Sequence, residues 1–252
     1  INPRLVYCRG GGFVLEGPLA EAPCQDTVGM AFGGFMDVTS QGEAPNSPPG
    51  SMSDILTGTN MASGALAGLV KRSVTGKGCV VGTSQTQSLL WLELQGVGIA
   101  ANLGQRVEPF RHDQTSNPLF TVYETADGWI AIAALLPPQW PTLAGILEFD
   151  HLLDDPRFGD FWKVLDNRDD FRPMMAEKMR TNSTQHWWDL LRAADLWAAP
   201  VNALTDLADD EHIRSNDYLV DFDDGFVGPP APYFVDGHRG ERGSAAEYNE
   251  HT

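Results

Sequence analysis

Apolar and polar positions along the chain change rhythm near residue 115. In the first part, short apolar runs alternate with segments rich in Gly and Ala. "RLVYC" (Arg4 to Cys8) reads as a short buried strand running into Gly10-Gly11-Gly12, a turn where backbone can approach a ligand closely. One helix is predicted across "QDTVGMAFGGFMDV", and "GEAPNSPPG" (Gly42 to Gly50) is a loop. A small-residue helix follows from about Ser51, with Lys71 and Arg72 in its last turn and Gly76 just beyond, as a helix C-terminus prefers. "CVVGTS" (Cys79 to Ser84) predicts a strand and "QSLLWLELQGVGIAANL" a long apolar helix. Strand, glycine turn, helix, strand and helix in this order predict an α/β layer with parallel strands.

Beyond "PFRHDQTSNP" the pattern becomes that of a mixed sheet and helices. "FTVYET" and "WIAIAAL" alternate with period two around Ala126-Asp127-Gly128, which predicts a hairpin. Amphipathic helices follow at "RPMMAEKM" and "TQHWWDLLRAA"; Trp187, Trp188 and Leu191 share helical spacing and read as core. The expected organisation is therefore a large domain begun over 1–116, an α+β small domain over 117–220, and a Gly- and Pro-rich segment over 221–252 that returns to the large domain.

Composition narrows the function classes. The 252 residues, 42% of them hydrophobic and 20% charged, are enough for one large or two modest domains. A net charge of −17 argues against nucleic acid and against an anionic membrane surface, which both need Lys and Arg. The acidity reads first as a solvated surface, with salt adaptation as the alternative. Cys8, Cys24 and Cys79 have no metal-like spacing and suit reduced thiols in a cytoplasm. No run is apolar enough to span a membrane, and no metal is expected.

Several motif fragments fail on chemistry. Gly82-Thr83-Ser84-Gln85-Thr86 lacks the last Gly of a nucleophile elbow. Gly76-Lys77-Gly78 lacks the rest of a P-loop, and Asp166 to Asp170 lacks the sixth-position Gly of a calcium loop. The six histidines are scattered, with none before His112.

One acid stands apart. Asp54 is the only charged residue in "SMSDILTGTNMASGALAGL". Its structural reading is a capping box, Ser51 as N-cap and Asp54 in the first turn, where an acid also suits the helix dipole. Gly64 and Gly68, four apart, would let another helix pack closely.

The motifs taken in order resemble the class III CoA-transferases, the group that includes formyl-CoA transferase, carnitine CoA-transferase and α-methylacyl-CoA racemase. "NPRLVYC" with Gly12-Phe13 and Gly17-Pro18 is similar to that family's strand and glycine loop, with Val14 departing from its third position. "SDILTGTNMASGALAGLVKRSVTGKG", "TADGWI", "NRDDF", "AAPVNAL" and the final "AAEYNEHT" follow the family's later landmarks, Ala246 and Asn249 departing in the last. The resemblance implies an α/β fold: a partial Rossmann-like CoA-binding large domain with an inserted α+β small domain. It implies a chain cut at both ends, lacking the family's N-terminal segment and C-terminal helix, and an interlocked cytoplasmic homodimer when whole.

It further implies that Asp54 is a catalytic nucleophile, attacking an acyl-CoA thioester and carrying CoA to a carboxylic acid through a mixed anhydride and an aspartyl-CoA thioester. Coenzyme A would enter as acyl-CoA, with Gly11, Gly12, Phe13 and Val14 where relatives touch its pantetheine end. Small neighbours such as Gly58 would leave room for the thioester, and a water-poor pocket would protect the anhydride. Arg106, Arg111 and His112 are candidates to hold the acceptor carboxylate. Two other readings remain: a racemase, or an inactive subunit or fragment. The racemase branch places His-Asp where this chain has Gln25 and Asp26, and glutamine cannot take a proton, so transfer is favoured. Formyl-CoA transferases in the family cover their substrate with a glycine-rich loop near the small domain; no run of four glycines lies between 105 and 130 here, so the resemblance implies that oxalate and formate are not the substrates.

Overall fold

The computed structural model describes residues 2–13, 16–40, 44–107 and 111–238. Two compact units meet in sequence between Thr115 and Ser116. The fold is mixed α/β.

The first unit is built on two parallel strands, β1 (Val6–Gly11) and β2 (Cys79–Ser84). They pair in register from Val6 with Cys79 to Gly11 with Ser84. The expected parallel layer is therefore present, but β1 starts and ends later than "RLVYC" and runs through Gly10 and Gly11. It is also not buried: Tyr7 on β1 is 54% exposed and Val80 on β2 67%. Two helices, α1 (Asp26–Phe32) and α2 (Phe35–Thr39), replace the single helix expected over "QDTVGMAFGGFMDV". The break is at Gly34, whose φ of 83° ends a right-handed helix. Helix α3 (Met52–Thr75) spans 24 residues and stops at Gly76, left-handed at φ 70°, as its sequence predicted. Helices α4 (Gln85–Leu92) and α5 (Leu94–Leu103) divide the long apolar segment where Glu93 (φ −89°, ψ 23°) leaves helical geometry.

The glycines of α3 serve a different neighbour from the one expected. A Cβ on Gly64 would meet Val81 Cγ1 at 2.6 Å, and one on Gly68 would meet Val6 Cγ1 at 2.7 Å. The small-residue face thus lies on the β1–β2 sheet, not on another helix. Helix α4 touches α3 through a polar pair instead, with Asn60 Nδ2 donating to Ser88 Oγ at 3.0 Å.

The second unit begins with the expected hairpin, β3 (Phe120–Glu124) and β4 (Trp129–Ala133), joined by antiparallel β5 (Ala198–Pro200) in the order β3-β4-β5. Alternation is regular: Thr121, Tyr123, Ile130 and Ile132 face inward. Helices α6 (Gln139–Ile146), α7 (Phe161–Asp166), α8 (Arg168–Met179) and α9 (Thr184–Ala193) cover that face. Trp140, Phe158, Phe171 and Trp187 fill the core, and both indoles keep a partner: Trp140 Nε1 donates to the Phe158 carbonyl and Trp187 Nε1 to that of Met179. Trp188 is only partly buried. Helix α10 (Glu211–Ser215) and a small antiparallel pair, β6 (Val220–Asp221) and β7 (Val227–Gly228), follow.

The Ala126-Asp127-Gly128 turn does more than reverse the chain. Asp127 Oδ1 accepts from the Thr184 backbone N–H at 2.7 Å and from its hydroxyl at 2.9 Å, so the hairpin tip holds the start of α9. The Thr184 N–H first, and its hydroxyl second, hold the Asp127 carboxyl below the usual aspartate range. A depressed folded-state value means stability that is complete above the ordinary range near pH 4 and is lost as pH falls through the folded value. Thermal melts should therefore show wild type above Asp127→Asn at pH 7, with the gap closing below about pH 4.

Candidate active site

Helix α3 starts with amides that no helical carbonyl can reach. Ser51 occupies the N-cap position, but it is left-handed (φ 49°, ψ 46°) and its hydroxyl caps nothing. The capping box expected of Ser51 and Asp54 does not form. Asp26 supplies the cap from 27 residues upstream: its Oδ1 accepts from Ser53 N at 2.8 Å, Ser53 Oγ at 3.1 Å and Asp54 N at 3.3 Å. Asp26 and Ser53 are both buried.

Because Asp26 caps the helix, the Asp54 side chain turns elsewhere. Its Oδ1 accepts from Nε2 of Gln85, the first residue of α4. Among the described residues its Oδ2 accepts no hydrogen bond. The other end of the Gln85 amide is also engaged, as Oε1 accepts from Cys24 Sγ at 2.9 Å. Burial first, and the negative charge of Asp54 second, push the Cys24 thiol up, so it remains a donor; its contact with the Gln25 carbonyl opposes them.

The glycine turn closes against this chain of contacts. A Cβ on Gly12 would lie 1.9 Å from Cys24 Cβ, so only glycine lets the turn approach. The Gly12 carbonyl accepts from both the backbone N–H and the hydroxyl of Thr86 at 3.1 Å. Since Gly11 is in register with Ser84, the glycine turn and the start of α4 leave the sheet side by side at the carboxyl ends of parallel strands. That is where open α/β sheets place ligands. Phe13 packs edge-on against Phe32, with ring centroids 5.0 Å apart. Val14 lies outside the described residues.

The remaining candidates are placed as follows. Gln25 caps α1, its side chain accepting from Thr27 N at 3.2 Å. Gly58 is one turn along α3 from Asp54, with open space where a Cβ would go. Arg106 pairs with Asp37 at 2.8 Å beside a groove of about 200 Å³. Arg111 pairs with Asp113. Neither ion pair involves Asp54. Asp54 is itself exposed, so its described surroundings do not form the water-poor pocket expected around an anhydride. Ser84, in the near-elbow motif, is fully buried and caps α4 by accepting from Gln87 N.

Gln85 and Cys24 were not singled out from sequence. Gln85 stood inside a rejected motif, although its place at a strand-to-helix junction was a usable signal. Cys24 carried no local signal. A larger cavity of about 750 Å³ lies in the second unit, lined in part by Trp129, Trp188, Asp206 and Asp210. Its carboxylates hold local structure, Asp210 Oδ1 accepting from Ile213 N at the start of α10 and Asp206 Oδ2 from Ala203 N. No cluster of potential metal ligands occurs among the described residues, and none of their helices is long and apolar enough to cross a membrane.

The family model of CoA-transferase family III matches residues 1–252. The chain belongs to this family. One family III relative, the (R)-2-hydroxy-4-methylpentanoate CoA-transferase of Clostridioides difficile, is 29% identical over 90% of this chain and 58% of its own. The succinyl-CoA:mesaconate CoA-transferase of Haloarcula hispanica is 31% identical over 88% of this chain and 57% of its own. A solved CaiB/BaiF family protein from Brucella suis shares the fold, with a TM-score of 0.83 at 23% identity over 99% of this chain and 66% of that one. The chain thus spans a little over half the length of the curated relatives it matches.

If Asp26 is the cap, its loss must be felt and that of Ser51 must not. Asp26→Ala should cost about 2 kcal/mol in equilibrium unfolding, since it strands the Ser53 and Asp54 amides at a buried helix start. Ser51→Ala should stay within about 0.5 kcal/mol of wild type.

Proposed function

We propose that the protein moves CoA from an acyl-CoA thioester to a carboxylic acid, with Asp54 as nucleophile. The observation that carries this reading is the division of labour at the head of α3. Asp26 serves the helix amides, which leaves the exposed Asp54 carboxylate with one oxygen held by Gln85 and the other open. Family membership and the relatives named CoA-transferases support the same reading.

The chemistry is self-contained. Asp54 Oδ2 attacks the thioester carbonyl, the carbon–sulfur bond breaks, and a mixed anhydride and CoA thiolate result. The thiolate attacks Cγ of Asp54, which releases the donor acid and leaves an aspartyl-CoA thioester. An incoming carboxylate reverses both steps, forming the new thioester and regenerating Asp54. No net proton transfer is required. This favours transfer over racemisation, because Gln25 cannot act as a base and Asp26 is buried with three donors on one oxygen.

Gly11, Gly12 and Phe13 are read as the wall facing the pantetheine end and thioester. The first unit is read as part of a Rossmann-like CoA-binding domain into which the second is inserted. An interlocked cytoplasmic homodimer is the expected assembly, and it would supply the covering that Asp54 lacks here.

The deciding experiment offers the full-length protein succinyl-CoA, acetyl-CoA and cinnamoyl-CoA, traps with hydroxylamine and maps the Asp54 peptide by mass. Conversion of Asp54 to a hydroxamate is expected with at least one donor, and its absence with all three in folded protein refutes the reading. Gly58→Ala separates stability from function. It should stabilise α3 by about 0.5–1 kcal/mol, yet raise the acyl-CoA concentration that half-saturates labelling, because the new methyl occupies the space beside Asp54.

A further inference from the structure

The reaction passes through charge on Asp54 itself, and the structure places one donor there. When the CoA thiolate adds to Cγ, the carbon becomes tetrahedral and Oδ1 carries the negative charge. The same oxygen is charged again in each later step at Cγ. Oδ1 is the atom to which Gln85 Nε2 donates. A preorganised donor at an oxygen that develops charge lowers the barrier most where it need not move to do so.

A glutamine amide has two ends, and only one orientation works here. With Oε1 toward Asp54, two acceptors would face each other. The Cys24 thiol, 2.9 Å from Oε1, favours the productive orientation. Its raised pKa keeps the proton that this requires. Gly29 admits the side chain, as a Cβ there would meet Gln85 Cβ and Oε1 at 3.0 and 3.1 Å.

We propose that Gln85 is a catalytic residue of this chain, the oxyanion donor for the steps at Asp54 Cγ, and that Cys24 is the positioning residue that orients its amide. The proposal rests on the reading of Asp54 as nucleophile. In the addition step the S–C bond forms as the C=Oδ1 π pair moves onto Oδ1, stabilised by the Gln85 N–H. In the collapse that pair returns, the bond from Cγ to the bridging oxygen breaks, and the donor acid leaves as a carboxylate. Gln85 exchanges no proton.

The test measures hydroxylamine-trapped Asp54 adduct in the full-length protein against acyl-CoA concentration, with succinyl-CoA, acetyl-CoA and cinnamoyl-CoA. Gln85→Leu should lower the maximal rate about a hundredfold with little change in the half-saturating concentration. Gln85→Glu should gain an acid limb in its pH–rate profile, because the new carboxyl can donate only when protonated, and a mere packing role would not produce one. Cys24→Ala should slow the reaction roughly fivefold, the size of one neutral hydrogen bond. Cys24→Ser, which keeps a donor, should recover most of that loss. A folded Gln85→Leu protein within about twofold of wild type overturns the oxyanion role while leaving the nucleophile intact. If that variant does not fold, a Gln85→Glu profile without the acid limb overturns it equally. Equal rates for the two Cys24 variants overturn the positioning role. Unchanged turnover in Asp54→Asn, or no adduct with any donor, removes the nucleophile and this proposal together.

Discussion

Two helix starts meet at one carboxylate. Asp26 is the first residue of α1, and its Oδ1 receives the Ser53 and Asp54 amides at the first turn of α3. Satisfying those amides inside a buried junction fixes α1 against α3, and it leaves Asp54 without a structural duty. Had Ser51 and Asp54 formed their own capping box, the Asp54 carboxylate would have folded back on its own helix. The freedom of the Asp54 carboxylate thus depends on a cap supplied from a distant residue.

The parallel pairing of β1 with β2 supplies the second constraint. Gly11 and Ser84 are in register, so the glycine turn and the first residues of α4 are delivered together. Thr86 ties that turn through the Gly12 carbonyl, and Cys24 closes on it from the start of α1. Gln85 then bridges Cys24 and Asp54. Three parts of the chain, each unremarkable alone, converge on one carboxylate oxygen. The surrounding unit has a small core of Met30, Phe35 and Leu89, and it leaves Tyr7, Val80 and Val74 largely exposed. The second unit, by contrast, closes a full aromatic and aliphatic core around its sheet.

Family III membership and the local geometry speak to different questions. The family match says what kind of protein the chain is, over residues 1–252. The geometry adds which oxygen is held and by which group. The chain covers a little over half of the length of its curated relatives.

Much of the local structure was legible in the residues. Period-two alternation gave β3 and β4, the Gly76 stop gave the end of α3, and "CVVGTS" gave β2 over its full length. Each depends on a few neighbouring residues, where propensity and periodicity act. The breaks at Gly34 and Glu93 were missed because the apolar pattern continues across both. The small face of α3 was legible, but its neighbour was not, since a glycine shows that something approaches without showing what. Asp54 was singled out as a lone acid in a small-residue segment and by the order of motifs along the chain. Asp26 as its cap, and Gln85 and Cys24 as its contacts, depended on pairings 27 to 61 residues apart. Those distances close only when the sheet register and helix packing are set, so the sequence singled out Asp54 and the tertiary structure decided its hydrogen-bond partners.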